Sequence, residues 1–285
     1  MNHQKVRLAP GLYFVATPIG TARDITLRAL DVLASADVIA AEDTRSLRHL
    51  MDIHGVPLEG RPLLSYHDHS GQGARTRLLA ALEQGQSVAY ASEAGMPLIA
   101  DPGYDLSRDA SAAGHLVTAA PGASAVLTAL TLAGLPTDAF FFAGFLPNAT
   151  AARKARLEVL REVPGTLVFY ESPKRVAASL SDMVQVLGGD RPAALCRELT
   201  KKFEEIRRGT LASLTEELTD GKVRGEIVLV VDRAGSVVVK DSDIEQDLRA
   251  ALVDHSVRDA ADMVSGIHGI PRRKAYQMAL NLTRE

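Results

Sequence analysis

The chain has 285 residues, and at ~150 residues per domain this length predicts about two domains. Hydrophobic residues make up 46% and charged residues 24%, which is typical of a globular protein with a sizeable core. The net charge of −3 excludes nucleic-acid binding by bulk charge, although a local basic patch remains open. The single Cys196 excludes a disulfide framework and fits a reducing cytoplasm, where we expect the protein to act.

The first half of the chain alternates short apolar runs with helical patterns, which predicts a mostly parallel sheet covered by helices. The predicted strands are Leu12–Ala16, Val38–Ala41, Leu63–Tyr66, Val88–Ala91 and Leu116–Ala120. An uncharged stretch from Leu116 to Thr137 is interrupted by Pro121 and Gly122, so we expect a strand, a turn and a helix there rather than a membrane span. Polar and Gly/Pro clusters follow the strands, at the sheet edge where ligands bind.

The second half predicts a sheet of mixed strand direction followed by a helical tail. Its predicted strands are Phe140–Ala143, Thr166–Tyr170, Ala193–Arg197, Phe203–Arg208 and Glu226–Val231, with helices at Arg153–Arg161 and Val176–Leu187. Helical patterns on either side of Gly269-Ile270-Pro271 have the spacing of a helix-turn-helix. We therefore predict a first α/β domain over 1–122, a second over 123–232, a linker over 233–243 and a helix-turn-helix tail over 244–285.

The common nucleotide-binding and hydrolase motifs are absent from the sequence. It has no G-x-x-x-x-G-K-[ST], no G-x-G-x-x-G after the first strand and no G-x-S-x-G, which disfavours P-loop, ordinary Rossmann and α/β-hydrolase proteins. Turns of small residues instead follow three strands, at Pro18–Gly20, Ser92–Gly95 and Pro121–Ala125, and Ser124 is a candidate N-cap. Each could be an ordinary turn, but three at one edge favour a ligand cleft.

Several motifs in order resemble the ribosomal RNA small subunit methyltransferase I family, within the tetrapyrrole-methylase-like superfamily of S-adenosylmethionine enzymes. They are VATPIG at 15–20, DITLRAL at 24–30, AEDTR at 41–45, SYHDH at 65–69, SEAGMPLIADPG at 92–103, PGASA at 121–125, YESPKR at 170–175 and RELTK at 197–201. The resemblance covers residues 11–231, and the tail resembles that family's C-terminal helix-turn-helix. Glu93 and Met96 depart from the family pattern, which usually has Asp and Thr there.

The resemblance implies a two-domain tetrapyrrole-methylase-like fold with S-adenosylmethionine between the domains of a homodimer. It implies 2′-O-methylation of a cytidine ribose in 16S rRNA, at the decoding centre of the small ribosomal subunit. The implied cofactor-binding residues are Pro18, Ser92, Glu93, Ala94, Gly95, Pro121, Gly122, Ser124, Ala125, Tyr170, Gly225 and Glu226.

A ribose hydroxyl must lose a proton when it is methylated, so a carboxylate close to it would help. Glu42, Asp43 and Glu171 lie at predicted strand ends and are the acid–base candidates, while Lys201 could stabilise an oxyanion or a phosphate. Each could equally cap a helix or form an ion pair. A sulfonium methyl is already electrophilic, so the chemistry requires no metal.

RNA binding must rest on local charge, because the chain as a whole is slightly acidic. The RNA-binding candidates are Arg45, His67, Arg153, Lys154, Arg156, Lys174, Arg175, Arg272, Arg273 and Lys274, although such charges often form solvated faces. His67, Asp68 and His69 place two imidazoles around a carboxylate, but no further Cys or His cluster completes a metal site, so we expect none.

Two alternatives remain open at this point. One is a methyltransferase of the same superfamily that acts on a tetrapyrrole or a protein, which would have little use for the basic helix and the tail. The other is a ligand-sensing regulator that binds DNA through the tail. The tail carries six basic and six acidic residues from Glu245 onward, which disfavours an independent DNA binder, and we expect neither DNA nor a membrane as a partner.

Overall fold

The computed structural model describes residues 3–67, 71–218, 223–235 and 241–283. Its first sheet has five parallel strands in the order β3-β2-β4-β1-β5. The strands are β1 (Gly11–Val15), β2 (Val38–Ala41), β3 (Leu63–Ser65), β4 (Ser87–Ala91) and β5 (Val117–Ala120). Helices α1 (Leu27–Ser35), α2 (Thr44–Ile53), α3 (Gly71–Glu83) and α4 (Tyr104–Ala112) alternate with them along the chain. The central strands β1, β2 and β4 are entirely buried, as expected for a parallel sheet covered on both faces.

The second sheet is mixed, in the order β6-β7-β10-β8-β9. Its strands are β6 (Phe140–Phe145), β7 (Thr166–Glu171), β8 (Pro192–Arg197), β9 (Glu205–Thr210) and β10 (Ile227–Val231). Strands β6 and β7 are parallel, and the other neighbours are antiparallel. The predicted combination of a parallel and a mixed sheet is therefore confirmed.

Helices cover both faces of the second sheet. One face packs on α6 (Thr150–Leu160), α7 (Val176–Leu187) and α8 (Leu211–Leu218), the last of which the sequence patterns did not predict. The other face packs on α5 (Ala125–Ala133), which directly follows the last strand of the first sheet. Ser124 caps α5 by accepting a hydrogen bond from the Leu127 amide at 3.4 Å, as predicted. The uncharged stretch around Pro121 thus forms a strand, a turn and a helix, and no helix in the described ranges is long and apolar enough to cross a membrane.

The tail consists of α9 (Asp241–Ala251), α10 (Val257–His268) and α11 (Arg272–Leu282), which share a small core. Ser256 caps the start of α10, and Gly269 ends it in the left-handed conformation. Pro271 then begins α11, so the predicted pair of helices around a tight turn is present. Helix α9 begins at Asp241, inside the segment predicted as a linker, because an acidic first turn favours a helix start there.

Candidate functional site

A cleft of about 620 Å³ lies between the carboxyl edge of the first sheet and the second sheet, a volume typical of a cofactor site. The first sheet contributes the turns after β1, β4 and β5, and the second contributes the end of β7, the start of β10 and the turn after β8. The lining residues include eleven of the predicted ones: Pro18, Glu93, Ala94, Gly95, Ser124, Ala125, Tyr170, Glu171, Lys201, Gly225 and Glu226. The prediction that these turns meet at one edge is confirmed.

Hydrogen bonds from Thr17 and Ser92 fix the turn after β4. The Thr17 and Gly95 backbones exchange two hydrogen bonds of 2.9 and 3.0 Å. The buried Ser92 hydroxyl donates to the Gly95 carbonyl at 2.6 Å. Ser92 therefore positions the loop rather than lining the cleft, which leaves the exposed Glu93 and Ala94 at the surface of the cleft.

A lysine between two carboxylates forms part of the opposite wall. The Lys201 ammonium donates to Glu198 Oε1 at 2.9 Å and to Glu226 Oε2 at 3.0 Å. Although desolvation opposes its charge, these hydrogen bonds raise the pKa of Lys201 above its usual value, so it stays protonated. Gly225 has φ +92°, and a Cβ there would overlap the Glu198 carboxyl, so this network requires glycine.

Asp101 also lines the cleft, although it was not among the predicted site residues. Among the described residues, nothing donates a hydrogen bond to its buried Oδ2 atom. Burial, and then the charges of Glu42 and Glu93, raises the pKa of Asp101 to about 7. The carboxyl groups of Glu93 and Asp101, with the nearby charge of Glu42, thus make this wall acidic, which favours a cationic ligand or one that donates hydrogen bonds. The raised pKa of Asp101 could not be predicted from residue type or spacing, because it depends on how deeply the side chain is buried.

Both walls contain strained backbone. Leu98 and Ala100 have φ values of +72° and +61° beside Asp101, and Glu198 and Thr200 have +52° and +62° beside Lys201. Residues with a side chain rarely adopt this conformation, and strain of this kind clusters at functional sites. The loop around Thr200 also contacts the turn after β1, because the Thr21 amide donates to Thr200 Oγ1 at 3.2 Å.

Two of the predicted acid–base residues have structural roles. Asp43 caps α2 by accepting hydrogen bonds from the Arg45 and Ser46 amides, and the Arg45 amide and guanidinium lower its pKa. Glu171 is buried, and its carboxylate accepts from the Ser179 hydroxyl at 2.5 Å and the Ser172 amide at 2.8 Å. The alternative role of a helix cap or an ion pair accounts for both residues, since Asp43 is a cap and Glu171 also pairs with Arg175 at 3.3 Å.

Glu42 and Lys201 remain candidates for a direct role. Glu42 is half-buried and does not line the cleft, but its charge acts on Asp101. Lys201 lines the cleft and keeps its proton, so it can neutralise negative charge but cannot accept a proton.

Pro121 and Gly122 do not line the cleft. Gly122 lies in a shallow depression beside α5, and a Cβ on it would come within 2.8 Å of the Ala16 Cβ atom. Gly122 therefore allows the turn to pack closely against the end of β1. Ser124 and Ala125, which follow after Ala123, line the cleft. Within the described ranges, no group of three or more His, Cys, Asp or Glu side chains is arranged to hold a metal ion.

Arg153 is buried, and the prediction that it contacts RNA is wrong. Only 4% of the residue is exposed, and its Nη2 atom pairs with the Asp182 carboxylate at 2.6 Å. Its Nη1 atom donates to the Asn148 carbonyl at 3.0 Å. Arg175 also makes contacts within the protein: it pairs with Glu171 at 3.3 Å and donates a hydrogen bond to the Leu146 carbonyl.

The other predicted RNA-binding residues stay predictions. Arg45 and Lys174 are exposed next to residues that line the cleft, whereas Lys154 donates to Gln185 and Arg156 is half-buried on α6. His67 is half-buried, and Asp68 and His69 lie outside the described residues. In the tail, Arg272 pairs with Asp262 and Lys274 with Asp241, while Arg273 is exposed. Exposed pairs of this kind are weak enough to exchange for phosphate.

The fold and the cleft define a methyltransferase of the tetrapyrrole methylase type. Residues 11–215 match the family described as tetrapyrrole (corrin/porphyrin) methylases, and residues 238–283 match the RsmI C-terminal HTH domain. A uroporphyrin-III C-methyltransferase from Thermus thermophilus, solved in complex with S-adenyl homocysteine, has a similar fold. Its TM-score is 0.53 at 18% identity, over 79% of this chain and 98% of that chain.

Two relatives named ribosomal RNA small subunit methyltransferase I match nearly the whole chain. The protein from Mesorhizobium japonicum is 47% identical over 96% of this chain and 93% of its own length. The protein from Escherichia coli O157:H7 is 40% identical over 98% of both. The chain therefore belongs to the ribosomal RNA small subunit methyltransferase I family.

Proposed function

We propose that this protein transfers a methyl group from S-adenosylmethionine to the 2′-hydroxyl of a cytidine ribose in 16S rRNA, at the decoding centre of the small subunit. The observation that carries the proposal is the similarity to relatives of that name over almost the full length, tail included. A homodimer acting in the cytoplasm on small subunits, without DNA or a membrane, completes the proposal.

The charge and the small side chains of the cleft suit S-adenosylmethionine. The ligand is a cation that also carries amino and hydroxyl donors, and it would face the negative wall at Asp101, whose Oδ2 atom has no donor among the described residues. The small residues Ala94, Gly95 and Ala125 leave backbone groups open to a ligand. A solved neighbour of the same fold holds the demethylated form of this cofactor, which supports the assignment.

When bound, S-adenosylmethionine supplies an electrophilic methyl group on a positively charged sulfur. The protein's contribution is then to hold a ribose oxygen in line with it, which can lower a barrier by several kcal/mol (roughly 7 to 11 in well-oriented systems). As the ribose oxygen bonds to the methyl group and the methyl–sulfur bond breaks, the hydroxyl proton leaves to solvent or to a carboxylate of the cleft. Lys201 stays protonated between Glu198 and Glu226 at the cleft wall, where its ammonium group can donate a hydrogen bond to the ribose oxygen or to an adjacent phosphate. We assign it this role rather than that of a base.

The proposal is tested with labelled methyl transfer to small subunits. Subunits from a strain lacking this protein are incubated with S-adenosylmethionine that carries a labelled methyl group, and the rRNA is hydrolysed with alkali. Label in an alkali-resistant dinucleotide is expected, because a 2′-O-methyl group blocks cleavage of the adjacent phosphodiester bond. Subunits from the parent strain are the control and should accept little label, since their site is already modified.

Two outcomes would contradict the proposal. Label in a base-modified mononucleotide would keep the methyltransferase but refute the ribose as acceptor. No transfer to subunits, with transfer to a tetrapyrrole, would support the small-molecule alternative instead.

A further inference from the structure

A large apolar side chain is exposed inside the cleft. Phe145 lines the cleft with 56% of its surface accessible, although phenylalanine is usually buried. Its ring packs edge-on against Tyr170, with the centroids 5.6 Å apart, and Tyr170 packs in the same way on Phe142 at 4.8 Å. These contacts hold one edge of the Phe145 ring and leave the rest of it open to the cleft.

A β-bulge turns Phe145 toward the cleft. Phe142 is paired with Val168, but the register then shifts, so that Gly144 is opposite Phe169 and Phe145 is opposite Tyr170. In a regular strand, residues three apart point to opposite faces of the sheet. Here Phe142 and Phe145 both contact Tyr170, because the extra residue at the bulge, with Gly144 at φ +66°, reverses the alternation.

The bulge therefore has a specific effect on which side chains are buried. Ala143, just before Gly144, packs against the core under the opposite face of the sheet, and Leu146, just after Phe145, is buried there. Between them only Phe145 faces the cleft, where an unshifted strand would have buried it. Bulges next to active sites commonly re-aim a side chain in this way.

Basic side chains lie close to this aromatic surface. Lys174 is exposed directly after the lining residue Pro173, and Arg45, which pairs with Asp43 at 3.4 Å, is exposed directly before the lining residue Ser46. Lys201 lines the cleft itself, where it pairs with Glu198 and Glu226. An aromatic face beside cations is the combination that binds an unpaired nucleotide, with the base on the ring and the phosphates on the cations. A nucleotide that leaves its stack to react exposes the face of its base, which an aromatic ring can cover.

We propose that Phe145 is the platform on which the base of the target nucleotide stacks while its ribose enters the cleft. This inference rests on the proposed function and adds a residue that positions the RNA. Phe145 acts by orienting the nucleotide and takes no part in proton or methyl transfer.

The test compares Phe145→Ala and Phe145→Trp with the wild type and with Phe140→Ala. Phe140 is a matched control, because it lies on the same strand with 45% of its surface exposed but does not line the cleft. The measurements are kcat and KM for small subunits, the Kd for S-adenosylmethionine by calorimetry, and the oligomeric state by sedimentation.

Phe145→Ala should raise the KM for small subunits about tenfold or more, within the range that base stacking on an aromatic contributes. The Kd for S-adenosylmethionine should be unchanged, and Phe145→Trp should restore the wild-type KM because indole also stacks. Phe140→Ala should behave as the wild type. A ring needed only for folding would show equal losses in all parameters and no rescue by Trp.

Other results would overturn the inference. A weakened Kd for S-adenosylmethionine in Phe145→Ala would assign the ring to the adenine of the cofactor, and dissociation of the oligomer would make it a subunit contact. If the wild type is active and Phe145→Ala has the same kinetics, the stacking role of Phe145 is refuted while the proposed function stands. A wild type that methylates no subunits would instead refute the proposed function, and this inference with it.

Discussion

Replacing Asp101 with Asn tests whether the negative wall of the cleft destabilises the ligand-free protein. Burial, with the charges of Glu42 and Glu93, raises the pKa of Asp101 from 3.8 to about 7. The folded state thus holds this proton more tightly than the unfolded chain, so the free energy of unfolding falls as the pH rises through this range and is level above it. The full effect is ~4 kcal/mol at ~1.36 kcal/mol per pKa unit, and solvent screening of the half-buried side chain reduces it to about 2 kcal/mol.

Urea unfolding of the wild type and of Asp101→Asn at pH 5 and pH 8 measures this effect. The variant lacks the titrating group, so its advantage in free energy of unfolding should grow by about 1 kcal/mol or more between the two values. Asp43→Asn is the control, because hydrogen bonds from Arg45 lower the pKa of Asp43 and it is ionised in both states across this range. Parallel pH profiles for the wild type and Asp101→Asn would refute the reasoning.

Three further substitutions test the packing and strain around the cleft. Arg153→Ala should lower the free energy of unfolding by about 3 kcal/mol in urea, because the buried Asp182 loses its closer partner and keeps only Lys154 at 3.6 Å. A change near zero would contradict the burial of this ion pair. Gly225→Ala should cost about 2 kcal/mol or more and abolish methyl transfer, since its Cβ would displace Glu198, and an active variant would contradict that geometry. Ala100→Gly should stabilise the protein by about 1 kcal/mol by relieving the left-handed backbone, whereas a loss of stability in the same assay would argue against strain there.

The fold could be predicted largely from local patterns. Val38–Ala41 and Val176–Leu187 have the predicted bounds, because a continuous apolar run and a helical apolar face are properties of the sequence itself. The parallel direction of the first sheet followed from helices that alternate with strands. Helix α8 was missed because it directly follows β9 with no intervening turn signal.

The candidate site could be predicted only where backbone and turn position decide it. The turns at Gly95 and Ala125 meet as expected, because carboxyl ends of parallel strands share an edge. The roles of charged side chains were less predictable, since burial decides them: Arg153 is enclosed, and Asp101 has a perturbed pKa for the same reason. Phe145 was missed because alternation assigns it to the other face, and a bulge depends on pairing with β7.

The position of α5 has a consequence for how the chain folds during synthesis. This helix is apolar on nearly every side, and Val126, Leu130 and Ala133 pack on β8 and β10 of the second sheet. Those strands are completed only at Val231, so after α5 is made, translation continues for about 5 to 20 s at the usual rate before its partners exist. During that interval the nascent chain exposes an apolar helix near its growing end. Chaperones bind surfaces of this kind, and the same surface would make truncated chains aggregate.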